Sequence, residues 1–252
     1  METGDGSVAS RIADAFFNDV VKQCDLLVDL HTGSFYRTNM PQLRADMDNP
    51  LVADFVEMFG DIPVLNSRGN RHTLRGAAVR AGIPTVTLEA GEPMRLQQEM
   101  VNVGVRTINT LMAKSGMYSK MGLWTRPAPA FYDSAWVRVN SSGILLSRMQ
   151  LGDEVKEGDV LGAVSNPVSN EQIDIISPYN GRILGMALDQ FVMPGFAVYH
   201  IGIHAAKGAQ MPIEDESDEI EPDGSGDTRD MDGPAPDGNY SDEPVEDDTI
   251  FD

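Results

Sequence analysis

Two strand-like segments end in side chains suited to proton or metal chemistry. The first is Leu26-Leu27-Val28-Asp29-Leu30-His31-Thr32-Gly33 and the second is Pro84-Thr85-Val86-Thr87-Leu88-Glu89-Ala90-Gly91-Glu92. Side chains alternate along a strand, so Asp29 and His31 point to the same side and Asp29 can orient the imidazole from behind. Glu89 follows an apolar strand, where partial burial would raise its pKa toward a value useful for proton transfer. A histidine and a glutamate at neighbouring strand tips are the minimum for metal-assisted hydrolysis. A structural histidine after a strand fits the same pattern, and the residues alone leave both readings open. A third segment, Asn66-Ser67-Arg68-Gly69-Asn70-Arg71-His72-Thr73-Leu74-Arg75, puts three arginines at a helix start, where backbone N–H groups favour anions. It reads either as a clamp for a substrate carboxylate or as a solvated charged loop. Arg37 and Arg44, in what reads as the loop after His31, are similar candidates nearer the supposed metal.

The elements that must hold these groups alternate. Val8, Ile12, Phe16 and Val20 share one helical face, with Ser7 before it as a cap. Helices are expected at about 50–59, 73–81 and 95–114, and strands at 26–30, 62–65 and 84–88. Gly82 and Gly116 serve as stops. That alternation predicts an α/β domain with a parallel-rich sheet flanked by helices, whose functional groups collect at strand ends.

After Gly122 the texture changes. Pro127 and Pro129 mark a linker, and short strands broken by glycine follow, with related units around 143–162 and 181–198. The expected organisation is a partial α/β catalytic domain over 1–122, a linker over 123–130, a small all-β sandwich over 131–206 and a disordered acidic tail over 207–252.

Composition narrows the function classes. The 41 residues from Pro212 to Asp252 hold 17 of the 39 acidic residues and one basic residue, Arg229, so they carry −16 of the formal charge of −20. Residues 1–211 hold 22 acidic against 18 basic residues, a near-neutral body without a basic stripe, which argues against nucleic acid as a partner. No apolar run reaches the roughly 18–20 residues of a membrane helix, and the first residues lack a secretion-signal pattern, so the expectation is a cytoplasmic chain with no membrane partner. The single cysteine, Cys24, excludes a disulfide scaffold and a cysteine-built zinc site.

The segments 25–33, 37–46 (Arg37-Thr38-Asn39-Met40-Pro41-Gln42-Leu43-Arg44-Ala45-Asp46) and 82–93 together resemble the succinylglutamate desuccinylase/aspartoacylase family, relatives of the zinc carboxypeptidases. The resemblance runs to about Gly202. It implies a zinc-dependent hydrolase that cleaves the amide bond of a small N-acyl amino acid. It further implies His31 as a zinc ligand and Glu89 as the general base and acid. Arg37, Arg44, Arg68, Arg71 and Arg75 are the candidates for the substrate carboxylate. The β region resembles biotinyl/lipoyl-type folds in Gly152-Asp153-Glu154-Val155-Lys156-Glu157-Gly158-Asp159-Val160-Leu161-Gly162. The turn at 166–170 has no lysine to carry a cofactor, so the resemblance implies an accessory domain at the mouth of the active site.

The chain departs from the family at one point. The His-x-x-Glu pair that supplies the family's other zinc ligands is absent, as is its Asn-Arg-x-Phe-Pro-Gly stretch. The expectation is that an N-terminal segment is missing and that the chain as given binds zinc poorly, with exposed sheet edges favouring association, for example as a homo-oligomer. The alternatives are a non-catalytic relative that binds a carboxylate ligand or partner, and carboxypeptidase-like trimming of a peptide. His200 and His204, on one face of the last strand, read as surface histidines. Trp124 and Trp136 read as packing between domains.

Overall fold

The centre of the fold is a strand that the sequence disguises as a loop. The computed structural model describes residues 7–117, 130–131, 133–188 and 190–203. All of these fall in one compact unit, Met1–Glu219. Most of the expected linker, the expected tail, Trp124 and His204 lie outside the described residues. In chain order the elements are α1 (Val8–Asp19), β1 (Leu27–His31), β2 (Arg37–Ala45), α2 (Pro50–Val56), β3 (Val64–Asn66), α3 (Leu74–Arg80), β4 (Thr85–Gly91) and α4 (Gln98–Lys114). Strands follow: β5 (Ala130–Phe131), β6 (Asp133–Arg138), β7 (Gly143–Ser147), β8 (Glu154–Val155), β9 (Val160–Ser165), β10 (Gln172–Ile176), β11 (Gly181–Ala187), β12 (Phe191–Val192) and β13 (Ala197–Ile203).

α1, α2 and α3 begin where short polar side chains cap them. Ser7 Oγ accepts from Ser10 N–H at 3.2 Å, Asn49 Oδ1 from Leu51 N–H at 3.0 Å ahead of Pro50, and Thr73 Oγ1 from Gly76 N–H at 3.1 Å. α2 and α4 cover the sheet through Val52, Phe55 and Leu111, which meet Leu43, Val86 and Leu88 in one core. α1 buries none of its residues, and Val8, Ile12 and Phe16 are exposed. Among the described residues, no helix is long and apolar enough to cross a membrane.

Nine strands make the larger sheet, along the path β1-β4-β2-β11-β13-β6, with β3, β5 and β8 paired off it. This corrects the expectation of a parallel-rich sheet. Only β1–β4, β2–β3 and β3–β5 are parallel, and the other five pairings are antiparallel. Three of these five pairings, β11–β13, β11–β8 and β13–β6, arise because the β-rich half joins the same sheet, and β2, which lies between β4 and β11 and runs antiparallel to both, accounts for the other two.

The β-rich half is also not detached. Its β11 pairs with β2 through Gly185–Asn39, Met186–Thr38 and Ala187–Arg37, which makes one sheet of both halves. The second sheet, β10-β9-β7-β12, packs on the far part of the first around Leu145, Leu161, Ile183, Val198 and Ile201. Tyr199 is fully buried there, with its hydroxyl 2.8 Å from the Leu161 carbonyl and 2.9 Å from Ser147 Oγ.

Because β2 belongs to both halves, they should unfold together. Leu43→Ala, in the middle of β2, should cost about 3 kcal/mol (range ~2–5) in urea denaturation and shift one cooperative transition. Two separated transitions, with only one displaced, would contradict a shared sheet.

Candidate functional site

Pairing of three neighbouring strands brings the reactive groups together. β1 lies parallel to β4 with His31 directly opposite Glu89. On the other side of β4, Gln42 of β2 stands opposite Glu89 and Arg44 opposite Thr87. Between Asn39, opposite Gly91, and Gln42, opposite Glu89, β2 takes three steps while β4 takes two. This bulge spans Met40-Pro41, and Pro41 has no N–H to lose from a ladder. The extra residue changes the parity of the strand. Without it, Arg37 and Asn39 would face away from Arg44; with it, all three line one cleft.

That cleft, about 190 Å³, is lined by His31, Thr32, Ser34, Arg37, Asn39, Arg44, Glu89 and Trp136. Drug-sized sites run to roughly 300–1,000 Å³, so this one suits a small metabolite. Glu89 is 6% exposed and doubly held. Arg44 Nε lies 2.8 Å from its Oε1, and Asn39 Nδ2 donates to its Oε2 at 2.5 Å. Arg37, 5% exposed, donates from Nη1 to Ser34 Oγ at 3.2 Å. Its guanidinium carbon is 4.9 Å from the Trp136 ring centre and 5.3 Å from that of Phe196.

Two glycines permit this closeness. A Cβ on Gly33 would stand 2.5 Å from the Arg37 carbonyl oxygen, so only glycine lets the turn carrying Thr32 and Ser34 lie against β2. A Cβ on Gly185 would stand 2.5 Å from Asn39 Oδ1 and displace the amide that holds Glu89.

His31 is half exposed at the rim, with Nε2 2.9 Å from Asp29 Oδ2. The hydrogen bond to Asp29 is the largest influence on the imidazole and raises its pKa above the ordinary 6.5. Burial and Arg44 oppose it, and the charges of Asp29 and Glu89 reinforce it. Among the described residues, no group of three or more His, Cys, Asp or Glu stands where it could hold a metal ion. A protein zinc site needs about three ligands. The described residues therefore do not by themselves fit a resident zinc, although His31 can be one ligand.

The structure brings together Asp29, His31, Arg37, Arg44 and Glu89. It does not bring Arg68, Arg71 or Arg75 into the cleft. Arg68 pairs with Asp48 at 2.7 Å on the surface, and the Arg71 carbonyl accepts from Arg80. Arg75 turns inward and donates from Nη1 to the Ser67 carbonyl at 2.5 Å, which ties down the loop itself. Asn39 and Trp136 are site residues that the sequence reading missed. For Asn39 the available signal was Arg37-x-Asn39, a period-two pattern of polar residues; for Trp136 the sequence carried none. His200 corrects another expectation. It is 3% exposed because β13 lies inside the sheet between β11 and β6.

Residues 2–115 match the family model of the Succinylglutamate desuccinylase/Aspartoacylase catalytic domain. This segment belongs to the succinylglutamate desuccinylase/aspartoacylase family. No curated protein matches the chain. Among solved structures, the ectoine utilization protein EutE (DoeB) of Ruegeria pomeroyi in its apo form has a TM-score of 0.72 at 20% identity, over 79% of this chain and 67% of that one. Its product-bound form gives 0.70 at 17% identity, over 79% and 64%. A succinylglutamatedesuccinylase/aspartoacylase from Rhodobacter sphaeroides gives 0.67 at 20%, over 79% and 65%. At these identities the likeness is one of fold. The chain spans about two thirds of the length of these proteins or slightly less.

The His31–Asp29 contact predicts a signed pH response. A raised folded pKa means that the contact stabilises fully below the unfolded value, near 6.5, and that this contribution is lost as pH rises through the folded value. In an NMR titration His31 should have its midpoint above 6.5, and Asp29→Asn should lower it. A midpoint that Asp29→Asn leaves in place would contradict the pairing.

Proposed function

We propose that the chain supplies the proton-transfer and carboxylate-binding groups of a hydrolase that cleaves the amide bond of a small N-acyl amino acid. The observation that carries this reading is Glu89, buried at the cleft and held by Asn39 and Arg44, with Arg37 on the same face. Two lines support it: membership of residues 2–115 in a desuccinylase/aspartoacylase family, and a cleft of metabolite size with arginines on its wall.

In this reading Arg37 takes the substrate's carboxylate through a charge-assisted pair, which orients the amide toward Glu89. A water between Glu89 and the acyl carbon gives its proton to the Glu89 carboxylate as its oxygen bonds to that carbon. The C–N bond then breaks, and the proton passes from Glu89 to the departing amine, which restores the carboxylate. Arg44 and Asn39 keep the carboxylate in one orientation through both transfers. The family resemblance implies a zinc, which when bound lowers the pKa of water toward ~7. His31 would be one of its ligands, and the rest of the set would come from outside the described residues.

A second reading, a non-catalytic carboxylate binder, is favoured by one observation, the incomplete ligand set among the described residues. Glu89→Gln separates the two. As an enzyme, the chain assayed with zinc on N-acetyl-L-aspartate and N-succinyl-L-glutamate should lose at least about 10²–10⁴-fold in turnover on this change, with substrate affinity retained. Turnover that survives Glu89→Gln removes Glu89 from the role. Binding without turnover in the parent chain supports the binder.

A further inference from the structure

Behind Arg37 stands a layered arrangement that the chemistry above does not use. The nearest layer is Trp136 on β6, whose ring centre is 4.9 Å from the Arg37 guanidinium carbon, with Phe196 contributing a second ring at 5.3 Å. Both lie within the ~6 Å over which an aromatic face attracts a cation. The next layer is His200 on β13, the direct cross-strand partner of Trp136. Its ring stacks on the indole at 4.6 Å between centres and 8° between planes. The imidazole is fixed in turn by Ser134, whose Oγ lies 2.9 Å from Nε2. Burial, with the charges of Arg44 and Arg37 behind it, holds the His200 pKa well below 6.5. A neutral ring therefore backs the indole.

An exposed arginine loses side-chain freedom when it grips a carboxylate. An arginine already held against aromatic rings loses less of it on binding. We propose that Trp136, backed by His200 and Ser134, is a positioning residue that fixes the Arg37 guanidinium in the orientation that receives a substrate carboxylate. The β-rich half then sets carboxylate affinity, although the proton chemistry belongs to β4. This rests on the reading of Arg37 as the carboxylate-binding group.

The test uses the full chain and two measurements. The side-chain Nε–H NMR signal of Arg37 reports the clamp directly, because nearby ring currents displace it. Calorimetric titration with N-acetyl-L-aspartate reports the consequence. Trp136→Phe keeps a ring, so the displaced signal should persist and affinity should stay within about threefold. Trp136→Leu should return the signal toward its ordinary position and weaken binding by about tenfold. If Trp136→Leu does not fold, the parent chain still decides, since an Arg37 signal at its ordinary position there overturns the clamp. Equal affinity in the parent and Trp136→Leu also overturns the inference and leaves the proposed function standing. A displaced Arg37 signal in a parent chain that binds no N-acetyl-L-aspartate defeats the carboxylate reading itself, and the inference with it.

Discussion

The buried ion pair between Glu89 and Arg44 is the constraint around which the rest is arranged. Both side chains are almost completely removed from water, and a buried charge left without its partner costs several kcal/mol. The pair spans neighbouring strands, so β2 must lie against β4 in a single register. That register brings Asn39 onto the second carboxylate oxygen only because β2 bulges at Met40-Pro41. The bulge in turn places Arg37 on the same wall. A local electrostatic requirement therefore fixes a strand position, an extra residue and the cleft's cationic side.

The same requirement explains what could be read in advance. Asp29, His31 and Glu89 were legible because apolar runs precede them and strand periodicity states which side they share. The helices were legible through their spacing, through Ser7 as a cap and through Gly82 and Gly116 as stops, which are local signals. β2 was not. Arg37-Thr38-Asn39-Met40-Pro41-Gln42 has no apolar alternation and contains a proline, because this strand uses Asn39 to hold Glu89 and lays Arg37 against Trp136 and Phe196. The Arg68–Arg75 segment shows the converse. Its charges at a helix start look like an anion site, yet Arg75 spends its hydrogen bonds on the Ser67 carbonyl and Arg68 on Asp48. Local pattern does not encode which long side chain reaches which partner.

The β-rich half contributes more than a neighbouring domain would. Its β11 continues the sheet from β2, and Gly185 leaves room for the Asn39 amide. Its β6 delivers Trp136 to the cleft. Sequence texture separated the halves because their strand lengths and glycine content differ. Hydrogen bonding joins them because the polar strand needs partners on both edges. His200 looked like a surface residue for a related reason: periodicity along β13 cannot show that β6 and β11 enclose it.

A crystal structure of the full chain soaked with N-acetyl-L-aspartate tests the central claim most directly. The account predicts the ligand in the cleft, its carboxylate on Arg37 and its amide within reach of Glu89, directly at about 2.6–3.2 Å or through one water. A ligand bound at the Arg68–Arg75 loop, or in the cleft with its amide turned away from Glu89, would contradict it.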